Sequence, residues 1–328
     1  MKDANQIDFF KRLERSVPSH SLLVNLVSET LNITSDSAYR RIRGETVLEF
    51  DEIQILCTRF NFSFDQFMSI ASHSFAFSGL LPIEKGFVFY DWLKSMYQHF
   101  DFISRFPEKH FYWFVRDFPV FIHFQVSELS AFKFFFWSRS ILGDKIDKKF
   151  SVQDLDDPNI EFARKISCLY NSIPTTEIWN IENISATLRQ IEYYKQTNMF
   201  QSDRDSSILY DKLEQLVSHV EREAELGKKF MFNDEPNKDS VAYTLYENDL
   251  ILGDGTSIAQ IGKGKITWLL HGFINAITTL DIRFNEYTFA VMENLIRKSN
   301  QISQFAEYER RSFFNSMRDR INLSRKRG

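Results

Sequence analysis

The sequence predicts a mainly α chain: an N-terminal helix-turn-helix domain of about five helices, then a large helical C-terminal region containing a small antiparallel β-sheet. Three observations carry that expectation. Apolar residues recur at helical spacing, as in Leu23, Leu26, Val27 and Leu31. Chain breakers are scarce, with 11 Gly and 7 Pro in 328 residues, which favours long helices over a many-turned β fold. The 34 Phe, 12 Tyr and 5 Trp imply a large aromatic core, because each ring removes a large area from water. A chain of this length exceeds one average domain. The expected division is 1–70 as the helix-turn-helix domain, 71–82 as a linker, and 83–328 as a mainly helical region for dimerisation or sensing.

The N-terminal elements follow from local pattern. Residues 5–16 read as a helix with Ile7, Phe10, Leu13 and Glu14 at near-helical spacing, stopped by Pro18 and Ser19. A second helix runs to Leu31, and Asn32-Ile33-Thr34 forms the turn. Thr34 can cap a third helix over 35–43, where Asp36 suits the positive helix end and Gly44 is placed to terminate it. Asp51–Phe60 reads as a fourth helix with Ile53, Leu56, Cys57 and Phe60 inward, and Ser63 begins a short fifth with Phe64, Phe67 and Met68 inward. The serine-rich stretch 71–82 is apolar for a linker, with Phe75, Phe77, Leu80 and Leu81.

Further on, helical spacing dominates the aromatic block from Glu84 to about Gly143, with breaks near Pro107 and Pro119. Helices are expected at about 157–171, 182–197 and 203–226, the last capped by Ser202 and closed by Gly227. Hairpin signals occupy about 241–270: Tyr243–Tyr246 against Leu250–Leu252, then Ile258–Ile261 against Ile266–Leu269 across Gly262-Lys263-Gly264. A helix over about 268–281 and helices from Arg283 to the end complete the expectation.

The third helix separates two chemistries. At 100° per residue, Ala38 and Ile42 face the second helix, and Arg40 points the other way. Asp36, Tyr39 and Arg43 flank Arg40 on the outer side, with Ser37 on the other flank and Ser35 at the start. A helix that enters the major groove needs this division, since its outer side chains must reach base edges and arginine suits bidentate bonding to guanine. Ser35 and Ser37 can reach phosphate or base. Arg41 lies at the flank, as a phosphate contact or as an internal ion-pair partner of Glu29. Lys11, Arg12 and Arg15 on the first helix can meet the DNA backbone. Against this stands a solvated amphipathic helix that touches no DNA. Residues 1–70 hold 8 Lys plus Arg and 10 Asp plus Glu, a local sum of −2, so non-specific phosphate attraction is modest.

The run Leu31 to Glu45, followed by Leu48, Phe50, Glu52, Leu56 and Cys57, resembles the N-terminal domain of a bacterial family of phage-repressor-like helix-turn-helix transcriptional regulators. Asp36-Ser37-Ala38-Tyr39-Arg40-Arg41-Ile42-Arg43-Gly44 is the most specific part. Thr176-Glu177-Ile178-Trp179 and Arg310-Arg311-Ser312-Phe313-Phe314-Asn315 are similar to the same family and bring no activity with them. The resemblance implies binding of double-stranded DNA, usually as a homodimer, and gives neither operator nor signal.

Other chemistries find little footing. The net charge of −4 argues against a surface that grips nucleic acid over its whole extent. Cys57 and Cys168 give neither a disulfide framework nor metal spacing. No basic-then-apolar leader and no run long enough to span a membrane is visible, so a cytoplasmic location with no membrane partner is expected. Phe118–Val126, the nearest approach to a span, is short and broken by Pro119, His123 and Gln125. Gly253 to Lys265 lacks the phosphate-loop spacing and reads as turns. The seven histidines show no metal pairing, and no enzyme mechanism can be assembled, so neither cofactor nor catalytic residue is expected. The aromatic block is either plain core or the lining of a ligand pocket, with Trp92, Tyr97, Tyr112, Trp113 and Trp137 as lining candidates. An unknown small-molecule or protein effector would act there or elsewhere in the C-terminal region. The alternative to a DNA-binding regulator is a protein-interaction module.

Overall fold

The computed structural model describes residues 4–14, 17, 20–60, 64, 75–79, 89–143, 147–155, 157–251, 253–271 and 275–327. The N-terminal helices are α1 (Ala4–Glu14), α2 (His20–Leu31), α3 (Ser35–Ile42) and α4 (Phe50–Arg59). Then come α5 (Phe89–Ser104), β1 (Lys109–Phe114), α6 (Val120–His123), α7 (Ser127–Ser140) and α8 (Pro158–Asn171). β2 (Thr175–Trp179), a 3-10 turn (Ile181–Ile184), α9 (Ser185–Gln196) and α10 (Asp203–Leu226) follow. The chain closes with β3 (Tyr243–Glu247), β4 (Ser257–Ile261), β5 (Gly264–His271), β6 (Asn275–Thr279), α11 (Ile282–Arg297), β7 (Asn300–Gln301) and α12 (Glu307–Arg327).

The expectation of a mainly α fold with a small antiparallel sheet is overturned. One seven-stranded mixed sheet runs through the C-terminal region in the order β6-β5-β4-β1-β2-β3-β7. β1, β2 and β3 are parallel neighbours, with Phe111 opposite Thr175 and Thr175 opposite Tyr243. Their crossovers run through α6 to α8 and through α9 to α10, as parallel pairing requires. β4, β5 and β6 add as antiparallel strands on one side, and the two-residue β7 adds on the other.

Both faces of the sheet are covered. Phe111, Tyr243, Leu245, Ala259 and Ile266 join the large core beneath α5 and α7 to α10. Phe114, Ile178 and Ile258 meet Met292, with Phe289 packed alongside, on α11. Strands covered on both sides lose the polar-apolar alternation that marks a half-buried strand. That is why Lys109–Phe114 reads as part of a helical aromatic block and why the five buried residues of β2 carry no strand signature. The helix expected over 268–281 is instead the end of β5 and the whole of β6; Thr278 and Thr279 are β-branched residues suited to a strand. Leu250 and Ile251 form no strand against β3. The Asn248 Oδ1 accepts from both of their amides at 3.1 Å and turns the chain.

Several helix boundaries are set by local caps. Asp157 caps α8 with Pro158 in its first turn. Ser202 and Asp205 form a capping box on α10, and Gly227, at φ 62°, ends that helix in the left-handed conformation.

The N-terminal helices enclose a separate core of Phe9, Phe10, Leu13, Leu23, Val27, Ala38, Ile42 and Leu56. Of the expected fifth helix only Phe64 is described, packed on this core; Ser63, Phe67 and Met68 lie outside the described residues. Within 71–82, residues 75–79 are described. Ser78 exchanges backbone hydrogen bonds with Thr278 at 2.8 and 2.7 Å, which extends the sheet beyond β6. Phe75 and Phe77 set their rings edge-on against Phe284. Leu280 packs against the N-terminal core and the large core alike.

Candidate functional site

The helix-turn-helix segment is built from two matching helix ends. Asn32, at φ 52°, terminates α2, with Ile33 N–H donating to Ser28 O at 3.0 Å and Asn32 N–H to Glu29 O at 3.3 Å. That is the Schellman pattern, and it turns the chain sharply into Thr34. The Thr34 hydroxyl then accepts from Ser37 N–H at 3.2 Å and caps α3. The same pattern closes α3: Gly44 at φ 68° donates to Arg41 O at 2.9 Å, and Glu45 N–H donates to Arg40 O at 2.8 Å. Gly44 tolerates this positive φ where a β-carbon would be strained.

α3 buries Ala38 and Ile42, and its opposite side is open. Arg40, Arg43, Ser35 and Asp36 are exposed, while Ser37 and Tyr39 are half-buried. The Arg43 guanidinium lies 5.4 Å from the centre of the Tyr39 ring, a cation–π contact that presents both groups on one edge of the helix. Arg41 is tied down. Its Nε and Nη2 donate to the two carboxylate oxygens of Glu52 on α4 at 3.1 and 2.8 Å, a bidentate pair with both side chains largely covered. Burial pushes the Glu52 carboxyl pKa up, but the Arg41 hydrogen bonds and charge, together with the Glu49 backbone N–H, outweigh it and hold the group below its ordinary value. The partner is thus Glu52, not Glu29. Glu52 also accepts from Glu49 N–H at 3.1 Å, so the pair joins the start of α4 to α3.

Buried Gln6 fixes the segment from the other side. Its Nε2 donates to Arg41 O and Thr46 O at 2.7 Å each, and its Oε1 accepts from Leu48 N–H at 2.8 Å. Gln6 escapes apolar periodicity because it is polar; its place one turn before Phe10 is the available signal. On α1, Lys11 is exposed and Arg12 pairs with Asp8 at 3.2 Å. Arg15 lies outside the described residues.

A second site lies between the sheet and α5, α6 and α7. A cavity of about 190 Å³ opens beside the C-terminal end of β1. Trp92, Trp113 and Trp137 line it, joined by Trp268 of β5. The other two lining candidates are elsewhere: Tyr97 packs on Phe162, and Tyr112 faces Phe289 across the sheet. The polar end of the cavity is formed by Arg116, Asp117, His123, Lys133 and Gln190. Lys133 is 4% exposed, and its Nζ donates to Thr187 Oγ1 and Gln190 Oε1 at 2.8 Å each. Burial lowers the Lys133 pKa to about 8, partly opposed by Asp117. Burial also pushes Asp117 up, against the pull of Lys133 and Arg116. His99, lowered by burial to about 4, and His123, held well below its ordinary value, are neutral near pH 7. A sequence signal for this end exists: Lys133 is the one charged residue between Glu128 and Arg139.

A third polar cluster lies inside the core. Glu177 is fully buried and accepts from Tyr170 OH, from Trp179 Nε1 at 2.6 Å and from Tyr243 OH at 3.0 Å. Lys229 sits 3.1 Å above the Tyr170 ring and donates to Tyr170 O and Thr175 Oγ1. Buried Glu223 accepts from Phe230 N–H at 3.0 Å. Each of the three has hydrogen-bond partners inside the core, the usual condition for burying such groups.

Among the described residues, no three His, Cys, Asp or Glu side chains gather as a metal site, and no helix is long and apolar enough to cross a membrane. No family model, curated protein or solved structure matches the chain.

Proposed function

We propose that the chain is a sequence-specific DNA-binding transcriptional regulator, with α3 and the following Arg43 in the major groove. The observation that supports it is the two-sidedness of this helix: Ala38 and Ile42 are buried, and Arg40 and Arg43 stand exposed on an edge whose backbone both helix ends fix. Arg40 reads guanine, and Ser35, Asp36, Ser37 and Tyr39 set the approach to neighbouring bases and phosphates. Lys11 is available to the phosphate backbone, and the sequence expectation assigns Arg15 the same role. Arg12 contacts phosphate only by leaving Asp8. Arg41 is reassigned within this reading, holding α3 to α4 through Glu52. The active form is a homodimer, since two such helices about 34 Å apart match successive major grooves. A chain working on genomic DNA in this way is cytoplasmic.

The test is selection of bound sequences from random duplex DNA, followed by gel shifts at two salt concentrations. A steep loss of affinity with salt and an enriched motif are expected. Arg40→Ala should cost about 1–3 kcal/mol on the selected sequence with little effect on random DNA. Failure to enrich any motif overturns the reading.

A second reading, a protein-docking module, is favoured by the exposed apolar side chains Val47 and Phe50 just beyond α3 and by the local charge of −2. It predicts binding with no dependence on DNA and no steep salt slope.

A further inference from the structure

The cavity beside β1 differs from ordinary aromatic core in one respect: it contains a buried ammonium with no anion in contact. Two protons of Lys133 Nζ go to neutral oxygens, and among the described residues no carboxylate lies within ion-pair distance of it. Leaving a buried cation without a counter-ion in contact is costly, and a bound anion would offset that cost. Arg116, exposed beside the same cavity, adds a second positive charge. Asp117 is the competing anion, but burial works against its charged form.

The walls carry a second, independent observation. The indole N–H groups of Trp113 and Trp268 are buried and have no acceptor in the protein. Orphaned donors of this kind call for an acceptor, supplied by water or by a bound molecule. Two donors and an ammonium together favour a ligand that brings oxygens over one that brings protons. The size also sets a limit. About 190 Å³ is below the ~300–1,000 Å³ of sites for drug-sized molecules, which leaves room for one or two rings. Four of the chain's 5 Trp surround that space and offer flat apolar faces.

We infer that this cavity binds a small aromatic or cyclic apolar carboxylate, with its ring among Trp92, Trp113, Trp137 and Trp268 and its carboxylate at the free donor of Lys133. The site stands independently of the DNA-binding reading. A cationic ligand on Asp117 is disfavoured because it would lie at the same end of the cavity as Lys133 and Arg116.

The test uses the full chain without DNA. Benzoate, phenylacetate and 2-naphthoate are titrated up to millimolar concentration by calorimetry and by tryptophan fluorescence, beside phenylacetamide and phenethylamine as neutral and cationic counterparts. At least one acid should bind saturably and perturb the fluorescence. Phenylacetate should bind about tenfold or more tightly than its amide, as expected for a hydrogen bond to a charged donor. Lys133→Met should remove that preference while leaving the amide affinity unchanged. No saturable binding by any acid, equal affinity for acid and amide, preference for the amine, or an acid preference that survives Lys133→Met each overturns the proposal. If Lys133→Met fails to fold, the acid-amide-amine series on the unmodified chain decides alone.

Discussion

The N-terminal helices and the sheet region place their charges in opposite ways. Around the small core of α1 to α4, Arg40 and Arg43 point into solvent, and the covered pair Arg41–Glu52 is satisfied within itself. The sheet region instead inters Lys133, Glu177, Glu223 and Lys229, each at 4% exposure or less. A small core has little apolar area with which to offset buried charge. A large one can hold such groups if their hydrogen bonds are met. The difference bears on partners. Outward cations suit an extended polyanion, where release of counter-ions supplies the affinity. A single interred cation suits one discrete molecule that fits around it.

The largest expected effect comes from the packing that makes such burial possible. Phe132 is fully buried and meets Phe150, Phe200 and Tyr194. Phe132→Ala should cost about 3–5 kcal/mol in urea unfolding, the usual range for deleting a core aromatic ring. A loss below about 1 kcal/mol would mean that the core collapses around the gap and that its charged groups do not depend on tight packing.

Next is the charge cluster itself. Burial raises the Glu223 pKa to about 8, against the opposing pull of Lys229. A carboxyl whose folded pKa exceeds its unfolded value adds stability that is complete below the unfolded value, near 4.5, and is lost as pH rises through about 8. Glu223→Gln mimics the protonated form and keeps an oxygen for Phe230 N–H. The variant should therefore match the parent near pH 4.5 and gain on it steadily up to about pH 8, by on the order of a few kcal/mol. Parallel stability curves across that window would place Glu223 in an environment far wetter than its burial implies.

Legibility from sequence divides along the same line as the charges. The N-terminal unit is written in local signals: Thr34 and Gly44 cap and close α3, and Ala38 and Ile42 give its inner face. Gly262 and Lys263 likewise mark the turn between β4 and β5. The parallel strands are hidden because sheet pairing is non-local and both faces are covered, so β1 and β2 carry no alternation. The cavity was half legible. Trp92, Trp113 and Trp137 stand in the aromatic block, whereas Trp268 arrives from β5, more than a hundred residues away. Nothing local announces that Thr187 and Gln190 would meet Lys133, because that contact exists only once α7 and α9 pack.

The smallest expected effect sharpens the comparison most. Arg40 and Arg41 are adjacent in sequence, equal in charge and opposite in setting. Arg41 makes a bidentate pair with Glu52 across two helices, and both side chains are less than one-fifth exposed. Arg41→Ala leaves Glu52 partly buried without its partner and should cost about 1–3 kcal/mol of stability, between the values for surface and for fully buried pairs. Arg40 is exposed, so Arg40→Ala should leave stability within about 0.5 kcal/mol of the parent. Denaturant titration of the two variants under one set of conditions measures both. If Arg40→Ala destabilises as much as Arg41→Ala, Arg40 is a structural residue and its guanidinium is not free for a partner. If neither destabilises, the link between α3 and α4 is carried by Ala38, Ile42 and Leu56 alone, and Arg41 returns to the set of cations open to phosphate.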